Sequence, residues 1–195
     1  MNHHRPDYPD KDRGFRPYCP CRPVFGGHTA EYDLYIRADQ ILYDVDAQTS
    51  LIMRSRRTEN QEDIHTIGTD NADDYRPMLH RWIEKYANLV CARLSAYIRT
   101  QPKRSQVNDL KFWEEMQIRL FMPEYWNANA FPLLITAVHD YIVNAVLYEY
   151  LSLELTANDP VTISKRQLMD ENYDKIKEYT VAAIPGQLPK PLQPF

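Results

Sequence analysis

The most apolar part of the chain, residues 131–157, repeats its hydrophobic side chains at helical spacing. Leu134, Val138, Tyr141 and Ala145 follow one another at intervals of three or four residues, and further apolar side chains widen this stripe. A helix that is apolar over so much of its circumference has to be buried on several sides. We therefore predict a bundle in which the other helices pack around this central helix.

Helical periodicity predicts further helices before and after the central helix in the sequence. Each combines an apolar stripe with a cap, a proline or a polar segment at its ends. We expect these helices over residues 31–57, 73–100, 106–121 and 164–183. The predicted fold class is therefore all-α, a helical bundle of about five helices.

Proline-rich segments flank the predicted bundle. Residues 1–30 contain five prolines and residues 185–195 contain four. Because proline fixes φ near the polyproline value and lacks a backbone donor, both segments are expected to be extended. We divide the chain into an extended N-terminal arm (1–30), a helical bundle domain (31–184) and an extended C-terminal tail (185–195).

Composition limits the classes of function. A hydrophobic fraction of 44% and a charged fraction of 26% are typical of a folded globular protein. The net charge of −4 provides no general attraction for nucleic acid. The first residues lack an apolar signal-peptide core and the longest apolar helix carries charges, so we expect neither secretion nor a membrane span. Three cysteines fit a reducing compartment better than a disulfide framework.

The cysteines and histidines are the candidates for chemistry. Cys19 and Cys21, with His28, could bind a metal, but one residue separates the cysteines and the ligand set is incomplete, so no metal is assigned. His139 precedes Asp140 on the central helix, and a partner helix would have to complete any site there. A metal-dependent or His-assisted enzyme remains an alternative function. The sequence shows no nucleotide-binding or hydrolase motif, and we assign no catalytic or cofactor-binding residue.

Two basic clusters are candidate contacts for an acidic partner. They contain Arg54, Arg56, Arg57, Lys103 and Arg104. The first follows an expected helix end, where cations complement the helix dipole. The second lies in a turn between two expected helices, but base-reading polar residues do not follow it. A helical regulatory module that binds nucleic acid or a protein partner is therefore a further alternative.

The expected helices resemble the helical head-to-tail connector (neck adaptor) proteins of tailed phages and prophages. The resemblance lies in the stretch from Asp73 to Ile98, in the core helix that begins at Phe131 and Pro132, and in the final charged helix 167–183 with its extended tail. The arm with Cys-Pro-Cys departs from the short N-terminus of that family. The resemblance implies a non-catalytic structural virion protein without a cofactor, which forms a homo-oligomeric ring between portal and tail.

Such a subunit would contact neighbouring portal and tail proteins through its arms and aromatic surfaces. It would reside in the virion or the host cytoplasm. Fourteen tyrosines suit such surfaces, because tyrosine offers a large, stiff contact area with a polar tip. The candidate interface residues are Tyr8, Phe15, Tyr18, Phe25, Tyr125, Trp126, Leu188, Leu192 and Phe195.

Overall fold

The computed structural model describes residues 29–57, 72–105, 113–155 and 158–182. Within these residues it contains four α-helices and a three-stranded antiparallel sheet, with 71% of the residues helical and 18% in strands. The predicted all-α bundle of five helices is therefore wrong, and the fold is mixed α/β. The elements in chain order are β1 Thr29–Arg37, α1 Ala38–Arg57, α2 Ala72–Arg93, β2 Lys103–Ser105, β3 Glu115–Pro123, α3 Phe131–Glu154 and α4 Pro160–Val181.

The sheet has the order β1-β3-β2, with β3 in the centre. Its inner face is apolar: Leu34 and Ile36 of β1 and Met116, Ile118 and Leu120 of β3 are all at most 3% exposed. The side chains between them point outward and are polar or charged. This alternation with a period of two is what a sheet with one solvent-facing side requires.

Strand β1 replaces the first part of the helix predicted over residues 31–57. Tyr32, Leu34 and Ile36 face the core at alternate positions, whereas a helix would direct them around its axis. The helix begins directly at Ala38, whose N–H donates to the carbonyl of Glu114 at 2.8 Å. From there the buried positions follow helical spacing, so the second part of the prediction is confirmed.

Strand β3 likewise replaces the described part of the helix predicted over residues 106–121. It pairs with β1 along its whole length, from Thr29 opposite Pro123 to Arg37 opposite Glu115. Residues 106–112 lie outside the described part of the chain. The predicted helix 73–100 is confirmed as α2 but ends earlier, at Arg93, and a short 3₁₀ turn, Ser95–Tyr97, follows it.

Helix α3 is the central element, as its apolar pattern predicts. Every residue from 141 to 147 is buried, and α3 contacts α1, α2, α4 and β1. In the described residues, one helical segment, Ala128–Glu154, is apolar and long enough to span a membrane, and 61% of its most apolar window is buried within the fold. This matches a core helix, and the described part of the chain is not that of a multi-span membrane protein.

Helix α4 packs along α3 and begins at Pro160, four residues before the predicted start at residue 164. Asp159 caps it by accepting a hydrogen bond from the N–H of Val161 at 2.9 Å, and Pro160 occupies its first turn. At its other end the indole of Trp126 donates to the carbonyl of Tyr179 at 2.8 Å. The bond from Trp126 connects the segment before α3 to the end of α4. The two predicted arms fall almost entirely outside the described residues.

Candidate functional site

An open groove lies where the end of β1 meets the first turns of α1 and of α3. Its volume is about 720 Å³, and we call it the β1–α1–α3 groove. Strand β1 contributes Tyr35, α1 contributes Asp39, Tyr43 and Asp44, and α3 contributes Ile135 and His139. The groove exists because α1 begins immediately after β1, which brings the helix start against the first turns of α3.

Large apolar and aromatic side chains are exposed at this groove. Tyr43 is 74% exposed, Tyr35 45% and Ile135 38%. The exposed surface continues along α1, because Ala47 and Leu51 follow Tyr43 at intervals of four residues and Leu51 is 64% exposed. We call Tyr43, Ala47 and Leu51 the α1 stripe. Contiguous exposed apolar surface of this kind is typical of a protein contact.

A histidine–carboxylate pair crosses the groove. Nε2 of His139 lies 2.7 Å from Oδ2 of Asp44, and the two side chains are 29% and 43% exposed. A partner helix thus completes the environment of His139, as the sequence requires, but the carboxylate comes from α1 and not from the adjacent Asp140. The carbonyl of Asp140 instead accepts a hydrogen bond from the side chain of Asn144 at 2.8 Å.

The hydroxyl of Thr136, one turn before His139 on α3, also lines the groove. That hydroxyl donates to the carbonyl of Pro132 at 3.1 Å, so its proton is directed into the helix and not towards the imidazole. The pair therefore fastens α1 to α3 at the groove.

The outer face of the sheet extends the polar rim of the groove. Arg37 donates to Glu115 at 3.0 Å, in agreement with their register positions. The side chain of Gln117 donates to the hydroxyl of Tyr35 at 3.2 Å and fixes the position of this ring. Asp39, in the first turn of α1, is exposed and forms no ion pair with another described residue. Its carboxylate is accessible to a cationic partner.

A second polar cluster lies between α2 and α3. Lys85 and the hydroxyl of Tyr86 both donate to Oε1 of Glu149, at 2.6 and 2.7 Å. Burial alone would raise the pKa of Glu149, but the hydrogen bonds from Lys85 and Tyr86 and the charge of Lys85 hold that pKa below its usual value. Burial, and then the bond to Glu149, raises the pKa of Tyr86. This cluster joins two helices.

The structure buries one candidate contact residue, half-buries a second and pairs the charge of a third. Trp126 is 4% exposed and packs against Tyr32 and Phe131, so little of its surface remains for a partner. Tyr125 beside it is half-buried. Arg104 donates to Glu84 at 2.9 Å, so its charge is already paired within the chain.

Other candidates are exposed or lie beyond the described residues. Lys103 and Arg54 are exposed, and the side chains at 56 and 57 are not described. The candidate ligands Cys19, Cys21 and His28 lie outside the described residues, as do the arm and tail candidates Tyr8, Phe15, Tyr18, Phe25, Leu188, Leu192 and Phe195. Across the ranges that the structure describes, no three His, Cys, Asp or Glu side chains form a metal-binding group. Cys91 is half-buried on α2, and burial raises the pKa of its thiol.

Sequence reasoning alone does not find Tyr35, Asp39 or Tyr43. The available signal is Tyr43, an aromatic side chain on the polar side of the α1 pattern. No known protein family, curated protein or solved structure matches the chain. Function has to be inferred from the physical chemistry of the groove and the α1 stripe.

Proposed function

We propose that the protein is a structural subunit that associates with copies of itself and with neighbouring proteins through the face formed by the groove and the α1 stripe. The observation that carries this proposal is the exposure of Tyr43 and Leu51, 74% and 64%, on one side of α1. Two large apolar side chains in line on one helix favour contact with another protein surface, because their association removes them from water. Tyrosine is also enriched at the centres of such contacts.

The assembly that we propose is a ring. The face combines a concave groove with the convex α1 stripe, and such unlike surfaces suit a head-to-tail contact between copies. Head-to-tail contacts generate closed rings when the rotation between neighbours completes a circle. The resemblance to neck adaptor proteins supports a position of this ring between the portal and the tail of a phage or prophage, and with it a location in the virion or the host cytoplasm.

The dimensions of the face are compatible with a subunit contact. Tyr43 and Leu51 are eight residues apart, which corresponds to about 12 Å along a helix. Together with the groove, this length allows a patch of a size typical of specific contacts, for which each partner buries on the order of 800 Å². The polar residues Arg37, Asp39 and Glu115 border this face at the groove, and a polar border beside an apolar centre is usual in interfaces.

The mass of the native protein in solution tests the proposal. Native mass spectrometry and light scattering should find a ring-sized oligomer of the full chain. Leu51→Glu should dissociate it, since a carboxylate cannot be buried in an apolar contact without a partner. The matched control is Leu89→Glu, which places the same charge on α2 at a leucine that is 41% exposed. Circular dichroism verifies that both variants remain folded.

Two results would contradict the proposal. One is a strictly monomeric protein across the concentration range. The other is an equal loss of assembly in Leu51→Glu and Leu89→Glu, because the effect would then not depend on the α1 stripe.

A further inference from the structure

The lining of the groove has the chemistry that binds proline-rich segments. Tyr35 and Tyr43 expose their rings, and Asp39 and Asp44 add carboxylates on the α1 side. Aromatic grooves bind polyproline helices because the stiff proline rings pack flat on aromatic faces and lose little entropy on binding. Acidic neighbours add attraction for arginines in such a ligand.

The chain itself contains a segment of this chemistry. Residues 13–23, RGFRPYCPCRP, contain three arginines and three prolines and no acidic residue. A polyproline helix repeats every three residues. Pro17, Pro20 and Pro23 would therefore share one edge of it, whereas Arg13, Arg16 and Arg22 would share the neighbouring edge.

The C-terminal tail fits this groove less well. Residues 185–195 contain four prolines but only one cation, Lys190. Pro185, Pro191 and Pro194 would share one edge of a polyproline helix, but Leu188 interrupts this edge and Pro189 lies on another, so the proline edge is not continuous. Both the charge and the spacing favour the N-terminal segment.

We propose that the groove binds residues 16–23 of a second copy of this chain. The proline edge packs on Tyr35 and Tyr43, and Arg16 and Arg22 face the carboxylates of α1. This inference rests on the proposed assembly and names the contact that joins neighbouring subunits. It also explains how an unlike pair of surfaces, an arm and a groove, forms a head-to-tail contact.

The length of the chain favours a second copy over the chain's own arm. Thr29 pairs with Pro123, at the end of the sheet opposite to Arg37 and the groove. The eight residue steps of β1 between Thr29 and Arg37 cover about 26 Å. The six steps from Thr29 back to Pro23 span at most about 22 Å. Tyr35, which also lines the groove, is six steps or about 20 Å from Thr29, so in its own chain the segment reaches the groove only if residues 23–29 are stretched nearly to full length. The arm of a second copy is under no such restraint.

Cross-linking in the full chain tests the contact. A photoreactive p-benzoylphenylalanine replaces Gln40, an exposed residue of the groove, so that both tyrosines remain. Unlabelled and ¹⁵N-labelled copies are mixed in equal amounts before assembly, and the cross-linked peptides are identified by mass spectrometry. The expected products join position 40 to residues 16–23, and about half of them combine both isotopes, as random association of copies requires.

Charge variants in the same assay test the role of the arginines. Arg16→Glu with Arg22→Glu should lower the yield of this cross-link about tenfold, since two attractive contacts become repulsive. Adding Asp39→Lys should recover part of the yield. The matched control, Arg5→Glu with Lys11→Glu, changes the charge of the arm by the same amount outside the proline segment and should leave the yield unchanged.

The outcomes separate this inference from the proposed function. An assembled protein whose cross-links from position 40 miss residues 16–23, or that gives none, overturns the inference and leaves the assembly in place. Cross-links to the arm within a single isotope overturn the second copy as the source. A monomeric protein overturns the assembly itself.

Discussion

Helix α3 has two regions with opposite surroundings. Its middle, residues 141–147, is buried on every side by α1, α2, α4 and the sheet. Its first turns border the groove, where Ile135 is 38% exposed and the side chain of His139 is 29% exposed. A single helix thus supplies both the core of the fold and one wall of the candidate site.

Two polar contacts of α3 differ in the number of donors that they hold. Glu149 accepts two hydrogen bonds from α2 and is 25% exposed, so its removal leaves donors without an acceptor. His139 and Asp44 form a single hydrogen bond in an open groove. Glu149 therefore joins α3 to α2 through two donors, whereas the single contact at the groove end can be exchanged for a partner at small cost to the fold.

The largest expected change in the free energy of unfolding comes from the buried middle of α3. Leu147 is fully buried, and Leu147→Ala should lower the free energy of unfolding by about 2–5 kcal/mol through lost burial and the cavity that remains. Ile135→Ala, at the groove, should lower it by less than about 1 kcal/mol. Urea denaturation at a fixed protein concentration measures both. Equal losses would show that the groove end of α3 is also part of the core.

A second effect appears at alkaline pH. Burial, and then Tyr173 and Asp170 nearby, raises the pKa of Tyr141 to about 12. The stabilisation is complete below pH 10, where tyrosine keeps its proton in the folded and the unfolded chain. Between about pH 10 and 12 only the unfolded chain ionises at this position, so stability falls by up to about 1.4 kcal/mol per pH unit.

Tyr141→Phe should remove this share of the alkaline loss, and urea denaturation at a series of pH values measures it. Tyr43→Phe, on the α1 stripe, is the matched control and should leave the slope unchanged. If the unfolding free energy of Tyr141→Phe falls with pH as steeply as that of the wild type, the alkaline loss does not come from Tyr141.

A smaller effect is expected at the cluster between α2 and α3. Glu149→Gln should cost about 1–2 kcal/mol at neutral pH, because the charge-assisted bond from Lys85 is lost. The pKa of Glu149 lies below its usual 4.5, so this stabilisation is present above pH 4.5 and is lost as the pH falls through the lowered value. The difference between variant and wild type should therefore shrink on acidification. Glu171→Gln, on the exposed side of α4, controls for the change of net charge.

The smallest effect is expected at the groove. Asp44→Asn should change the free energy of unfolding by less than about 1 kcal/mol, because a single hydrogen bond between partly exposed side chains contributes little. The same denaturation experiment measures it. A loss as large as that of Leu147→Ala would reverse the comparison and assign the pair to the core.

The central helix could be predicted because its pattern admits a single interpretation. Leu134, Val138 and Tyr141 fit a helical period, and apolar residues on the remaining sides add burial without disturbing it. The sheet was missed because its residues fit two periods. Met116 and Leu120 match a helix at a spacing of four, but Ile118 between them and the polar Gln117 and Arg119 match a strand.

The groove could not be predicted because its residues come from distant parts of the chain. His139 and Asp44 are 95 residues apart, and nothing in the neighbourhood of either identifies the other. The requirement for a partner helix at His139 does follow from the sequence, since adjacent helical side chains point in different directions. Which helix supplies the carboxylate depends on tertiary packing.

The pairing of β1 with β3 also has a consequence during synthesis on the ribosome. Arg37 and Glu115, at the near end of the pair, are 78 residues apart. At a translation rate of about 5–20 residues per second, roughly 4–16 s pass between the synthesis of β1 and that of its partner strand. During this time its apolar side chains and both its edges are available to other nascent chains. Helices α3 and α4 are consecutive and can close on each other soon after they emerge, so the protein should need chaperone protection chiefly for its first strand.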